Sequence, residues 1–217
     1  MSISDGALRS VPRATLREGA LAQIRDAILA GHLKPGTPLG EVAVSEQLGV
    51  SRGTVRESFR TLQQEGLIEP FGRGLRVKLM TGIEIEELFL VRAELESLAI
   101  EQVLQRDDKD ELVEAIAEQL PPGSEAKLTY AQRLDRDLAF HRALVRSSGI
   151  GLLIRMWTNL ENSARVVVLA HQNSDVVPYM GRDHHSPIVE AMRNGDAAAA
   201  RTALQSHMRA SAKFFAE

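Results

Sequence analysis

Asp137 and His141 stand four residues apart in a stretch whose apolar residues predict a helix over 126–147, so both side chains leave the same helix face. His185 and His207 fall on the last two predicted helices, 22 residues apart around a turn at Gly195. In an antiparallel helix pair these two positions sit at nearly the same height, within about 3 Å at a rise of ~1.5 Å per residue. Three imidazoles and one carboxylate can therefore converge inside a helical bundle. That donor set suits a divalent transition metal: Zn²⁺, Mn²⁺, Ni²⁺ or Fe²⁺. The plainer alternative stays open, since a lone histidine on a helix is more often a surface group or a hydrogen-bonded core group. His32, His171 and His184 are read that way. His184 neighbours His185 but points roughly 100° away from it.

Arg92 lies between Leu88 and Leu95 on the apolar side of a helix predicted over 83–105. A buried charge there needs a partner, or it costs several kcal/mol. Two readings fit: a salt bridge to a carboxylate of the bundle, or an anchor for an anionic effector whose carboxylate also reaches an open position on the metal. Asn159 and Arg165, on the fourth bundle helix, are weaker candidates for the same pocket. A metal held by Asp137 and three histidines can also activate water. No second carboxylate stands at a recognisable spacing to act as general base, so the chain is read as a non-enzyme with no catalytic residues. A third possibility is a metal that only staples the bundle, with no effector.

A different chemistry stands near the N-terminus. Leu48-Gly49-Val50-Ser51 reads as the turn of a helix-turn-helix, with Gly49 supplying a left-handed backbone and Ser51 capping the next helix. Along that helix Val55, Phe59 and Leu62 share one side. Arg52, Arg56 and Arg60 form a second stripe about 100° round from it. An apolar stripe for its own domain beside an arginine stripe suits a helix lying in a DNA major groove, where arginine contacts phosphate and guanine. Phe71-Gly72-Arg73-Gly74 then reads as the turn of a β-hairpin between 67–70 and 75–78. A helix-turn-helix followed by a hairpin is a winged helix, and Arg73 at the wing tip can approach the backbone or minor groove.

The remaining elements position these residues. Helices are predicted over 16–31 and 41–48, then over 83–105, 108–119, 126–147, 152–170, 178–194 and, capped by Asp196, through Phe215. The fold class is mainly α: an N-terminal winged helix-turn-helix (15–79) after a mobile arm (1–14), and a C-terminal six-helix bundle (80–217). The 217 residues are 44% hydrophobic and 25% charged, ordinary for a soluble globular protein. No cysteine is present, so disulfides and thiolate sites are excluded, which fits a reducing cytoplasm. No apolar run spans a bilayer and the N-terminus lacks a signal-peptide core. Residues 1–78 carry 11 Lys and Arg against 8 Asp and Glu, whereas the remainder carry 15 against 21. A mildly basic domain joined to an acidic one suits a DNA reader attached to a part that does not touch DNA.

Residues 15–78 resemble the DNA-binding domain of the GntR family of bacterial regulators. The matching text is Ile28-Leu29-Ala30-Gly31, Leu33-Lys34-Pro35-Gly36, Leu48-Gly49-Val50-Ser51-Arg52, Val55-Arg56-Glu57, Glu65-Gly66-Leu67-Ile68 and Gly72-Arg73-Gly74. By position, the resemblance implies DNA contacts at Arg52, Thr54 and Arg56, and at Gly72 in the wing. Two departures stand out. Many members have Thr-Pro where this chain has Gly53-Thr54, which alters base preference. Many have an arginine where this chain has Val42, which removes one phosphate contact and weakens binding broadly. Residues 83–215 resemble the FCD ligand-sensing domain of the FadR-type branch, through Arg92-Ala93-Glu94-Leu95-Glu96, Asp137-Leu138-Ala139-Phe140-His141, His185-Ser186-Pro187-Ile188 and His207. Six helices rather than seven look like the VanR subgroup. In metal-binding members the ligands are an Asp, a His four later and two further His, and each has a counterpart here. The resemblance also implies an effector role for Arg92. Where members often carry Gly-Asn after the third bundle helix, this chain has Gly149-Ile150-Gly151. The expectation is a cytoplasmic, homodimeric regulator that binds double-stranded operator DNA and a small carboxylate, with repression relieved by effector.

Overall fold

The structure, a computed structural model, describes residues 13–123, 127–171 and 179–217. Residues 1–12 of the expected arm, and the expected helix starts at Ala126 and Pro178, lie outside these. The chain divides between Lys78 and Leu79 into two compact units.

The first unit holds α1 (Arg13–Leu29), β1 (Pro38–Leu39), α2 (Glu41–Leu48), α3 (Arg52–Gln64), β2 (Ile68–Phe71) and β3 (Gly74–Val77). Its helix α1 starts three residues before the expected Leu16 and so takes in Arg13 and Ala14. α2 ends on Gly49 at φ +65°, and α3 begins on Ser51, whose side chain accepts from the Thr54 N–H at 3.1 Å. Val55, Phe59 and Leu62 of α3 are buried with Ile24 and Ile28 of α1 and with Leu67 and Val77. Each such side chain contributes about 1.5–3 kcal/mol of hydrophobic stabilisation. Arg25 of α1 pairs with Glu65 beyond the end of α3 at 2.6 Å. The strands form an antiparallel sheet in the order β1-β3-β2. β2 and β3 are joined by Gly72-Arg73, with Phe71 opposite Gly74 and Gly72 at φ +58°.

The second unit contains, among the described residues, six helices: α4 (Gly82–Leu104), α5 (Lys109–Ala117), α6 (Tyr130–Ser147), α7 (Gly151–Ala170), α8 (Arg182–Arg193) and α9 (Ala197–Ala216). α4 is the spine, packed along α9 on one side and against α6 and α7 on others. Leu134, Leu138, Phe140, Leu144, Ile188, Leu204, Met208 and Phe215 fill the core. The starts are set by caps. Thr81 and Glu84, and Thr129 and Gln132, form reciprocal capping boxes, and Asp196 accepts from the Ala199 N–H at 2.9 Å. Two expected starts are corrected here. α6 begins at Tyr130 rather than Ala126, because Thr129 and Gln132 close its first turn. α8 begins at Arg182 rather than near Tyr179, whose φ of +65° is not helical. At the head of α4, Gly82 lies so close to the end of α9 that a Cβ would sit 2.9 Å from the Ala216 carbonyl oxygen. No helix among the described residues is long and apolar enough to cross a membrane.

Candidate metal centre and nucleic-acid interface

α6 presents Asp137 and His141 from successive turns, α8 presents His185 and α9 presents His207, all four buried. One ligand atom from each lies within 4.8 Å of the others. His185 Nε2 is 3.2 Å from His141 Nε2 and 3.1 Å from Asp137 Oδ1, and His141 Nε2 is 3.9 Å from the same oxygen.

The outer nitrogens fix which way the lone pairs point. His141 Nδ1 is 2.6 Å from Glu96 Oε2, and His185 Nδ1 is 2.8 Å from the Gly181 carbonyl. When these nitrogens donate outward, Nε2 of each ring offers its lone pair to the centre, the pattern that orients metal-ligating histidines. His207 Nδ1 is buried with no hydrogen-bond partner, a state that costs roughly 1–3 kcal/mol. Burial, then the neighbouring His185, His141 and Arg92, push His207 well below the usual histidine range, so its ring is neutral. Burial opposes ionisation of Asp137, but the hydrogen bond with His185 and the charges of His141, His185 and Arg92 outweigh it and hold the carboxyl below its usual range. An ionised carboxylate, the neutral His207 ring with its unpartnered nitrogen, and two further imidazoles fit a divalent cation.

Glu96 stands behind this set. It is fully buried on α4, and besides His141 it receives Trp157 Nε1 at 2.7 Å and Arg92 Nη2 at 3.1 Å. Burial raises its pKa, yet His141 and Arg92 hold it below the usual carboxylate range. The sequence reading missed Glu96 and Trp157 as parts of the site. The available signal was the position of Glu96 four residues after Arg92 on one helix. Arg92 thus has a structural carboxylate. It also lines a narrow cavity with Asp137, His141, His207, Tyr179 and Ser211. That cavity measures ≈ 10 Å³, room for about one water. The structure does not bring Asn159 or Arg165 to it: Asn159 is exposed, and Arg165 pairs with Asp135 at 2.7 Å. His171 bonds the Val167 carbonyl, and His184 lies against Tyr179 rather than the cluster.

In the first unit, α3 buries Val55 and Phe59 and exposes Arg52, Arg56 and Arg60. Thr54 is half-buried, its hydroxyl 2.9 Å from Ser51 Oγ. Arg60 pairs with Glu57 at 2.7 Å, and Arg56 pairs with Glu41 of α2 at 2.7 Å. Gly72 and Arg73 are exposed at the hairpin turn. Phe71 beside them is half exposed, with the Arg76 guanidinium 4.5 Å over its ring. Val42 is exposed.

The chain matches two family models: the gntR family of bacterial regulatory proteins over residues 16–77, and the FCD domain over residues 87–210. It is 31% identical over 205 residues to a probable D-xylose utilization operon transcriptional repressor of Paenarthrobacter nicotinovorans, covering 89% of this chain and 88% of that one. It is 29% identical over 152 residues to the gluconate operon transcriptional repressor of Bacillus licheniformis, covering 69% of this chain and 62% of that one. Among solved structures, a putative GntR transcriptional regulator from Rhodococcus sp. RHA1 shares the fold, with a TM-score of 0.73, 24% identity and coverage of 93% and 97%. Two family models in the family's domain order, and a relative matched over nearly its whole length, place this chain in the GntR family of bacterial transcriptional regulators, in the branch that carries a C-terminal FCD domain.

Proposed function

We propose that the protein is a homodimeric repressor that releases operator DNA when a small carboxylate binds beside a metal held by Asp137, His141, His185 and His207. The observation that carries this reading is the convergence of four buried ligand atoms from three helices, with the Nδ1 atoms of His141 and His185 turned outward. The metal, when bound, supplies a fixed positive charge that attracts and orients a carboxylate. Arg92, on the wall of the same cavity, adds a second positive group whose charge is balanced by Glu96. That one of the similar proteins is a gluconate operon repressor supports an oxygen-rich carboxylate as the ligand class.

The cavity holds about one water, so a larger ligand must displace side chains at its wall, among them Tyr179 and Met180. A ligand that favours the opened arrangement shifts the population toward it, and the difference between the two arrangements is what DNA affinity reports. On the DNA side, Arg52, Arg56 and Arg60 face the major groove with Thr54, while Gly72 and Arg73 of the wing reach the neighbouring backbone. Ile83, Leu90, Val91 and Leu98 of α4, and Leu152 and Met156 of α7, are large apolar side chains left exposed. They supply the surface for a two-fold partner, which sets two copies of α3 on a palindromic site.

The test is binding of the purified protein to DNA from upstream of its own gene, against scrambled DNA at the same salt, with chelator, with added metal and with a panel of small carboxylates. The expected outcome is specific binding that a metal-dependent carboxylate releases. Specific binding unaffected by chelator and by every carboxylate removes the sensing role. The tightness of the cavity favours a second reading, a metal that only staples α6, α8 and α9. Melting that depends on metal but shifts with no carboxylate selects it.

A further inference from the structure

Arg56 leaves the exposed side of α3, yet its guanidinium is already held. Its Nε and Nη2 donate to the two carboxylate oxygens of Glu41, at 2.9 and 2.7 Å. One edge of the planar fork is therefore docked in a two-point pair across the gap between α2 and α3. Glu41 is the first residue of α2, where the helix dipole favours a carboxylate. Its own carboxyl is held below the usual range chiefly by the Arg56 bond. Arg60 is held differently, through Nη1 by Glu57 of its own helix.

The pairing with Glu41 uses only Nε and one proton of Nη2. The second edge of the guanidinium, Nη1 with the other Nη2 proton, presents two parallel donors. Guanine offers two acceptors, O6 and N7, at matching spacing in the major groove, whereas adenine offers one acceptor and one donor. A fork fixed before DNA arrives loses less freedom on binding than a free arginine. The carboxylate beside it is repelled by phosphates, which weakens binding to any sequence alike.

We propose that Glu41 is a positioning residue that holds Arg56 for guanine, so that it raises base discrimination while lowering sequence-independent affinity. The proposal rests on the reading that α3 enters the major groove. The probes are a duplex selected from a randomised pool by the wild-type full-length chain, the same duplex with each guanine pair replaced in turn by adenine, and an unrelated duplex. Dissociation constants are measured at one fixed salt for wild type, Glu41→Gln, Arg56→Ala and the double variant, with far-UV circular dichroism confirming that each is folded. With Glu41→Gln, guanine-over-adenine discrimination at one position falls about 5-fold to 10-fold, while the unrelated duplex binds as tightly as before or up to about 3-fold tighter. In the Arg56→Ala background, Glu41→Gln changes discrimination no further. Unchanged discrimination at every guanine in Glu41→Gln overturns the proposal while leaving the recognition helix intact. So does an equal loss in the Arg56→Ala background. Failure of the underlying reading looks different: Arg56→Ala then discriminates as wild type does, and the proposal falls with it.

Discussion

Glu96 is surrounded by three donors drawn from three helices, and each constrains a different part of the cluster. Its removal should act on the metal through His141, without taking away a ligand. Glu96→Gln should weaken metal binding about 10-fold to 100-fold, read by competition with a chromophoric chelator. Unchanged affinity would reduce Glu96 to a partner for Arg92. His207 gives a second expectation, in metal-free protein. Its ring is neutral when folded, because burial and its neighbours lower its pKa, whereas the unfolded chain takes up a proton near 6.5. Below that pH the unfolded chain binds more protons, so this contribution to stability is whole above about 6.5 and falls on acidification toward the lower folded-state value. Thermal melts at pH 7.5 and 5.5 should show the drop, and His207→Gln should flatten it. At this scale the sequence was legible where residues act by spacing. Asp137 and His141 declare a shared face, and His185 and His207 a shared height. It was not legible where the partner comes from elsewhere: Glu96 is 45 residues from His141 and 61 from Trp157.

α6 carries two of the four candidate ligands, so its integrity matters more than its share of the core. Its first turn is closed by the Thr129 and Gln132 box. Thr129→Ala should cost about 1 kcal/mol of stability, measured by urea unfolding. It should leave metal stoichiometry intact, because Asp137 lies two turns further on. Loss of metal with unchanged stability would mean the cap tunes the site directly. Helix bodies were readable throughout, since apolar residues at three- and four-residue intervals mark them. Some ends were not. Apolar and helix-favouring residues continue past the true starts of α6 and α8, and the decision falls to a single capping threonine and to the positive φ of Tyr179. β1 passed unread because Pro38-Leu39 is too short to show alternation, and only its pairing with Arg76 and Leu75 defines it. The hairpin of β2 and β3 was plain from its glycines and alternating apolar residues.

The whole molecule combines a basic unit with an acidic one, and among the described residues α4 and α7 leave six large apolar side chains in water. Scattered exposed leucines are normal, so the proposed two-fold partner is tested by charging one of them. Leu90→Glu should shift the protein from dimer to monomer in sedimentation at micromolar concentration. The bundle's melting profile should stay cooperative, because that side chain is outside the core. Operator binding should fall more than binding to an isolated half-site. A dimer of unchanged affinity would place the partner elsewhere.

One further consequence follows from how α9 ends. The helix is a rigid rod of 20 residues with His207 near its middle and Ala216 at its tip. That tip rests on Gly82, where no Cβ fits without something moving. The stretch from His207 to the tip is about 13 Å of rod, and Gly82 is only four residues past Lys78. The head of α4 and the tip of α9 are therefore locked together by a glycine, and a methyl group at position 82 would have to prise the two helices apart at that end.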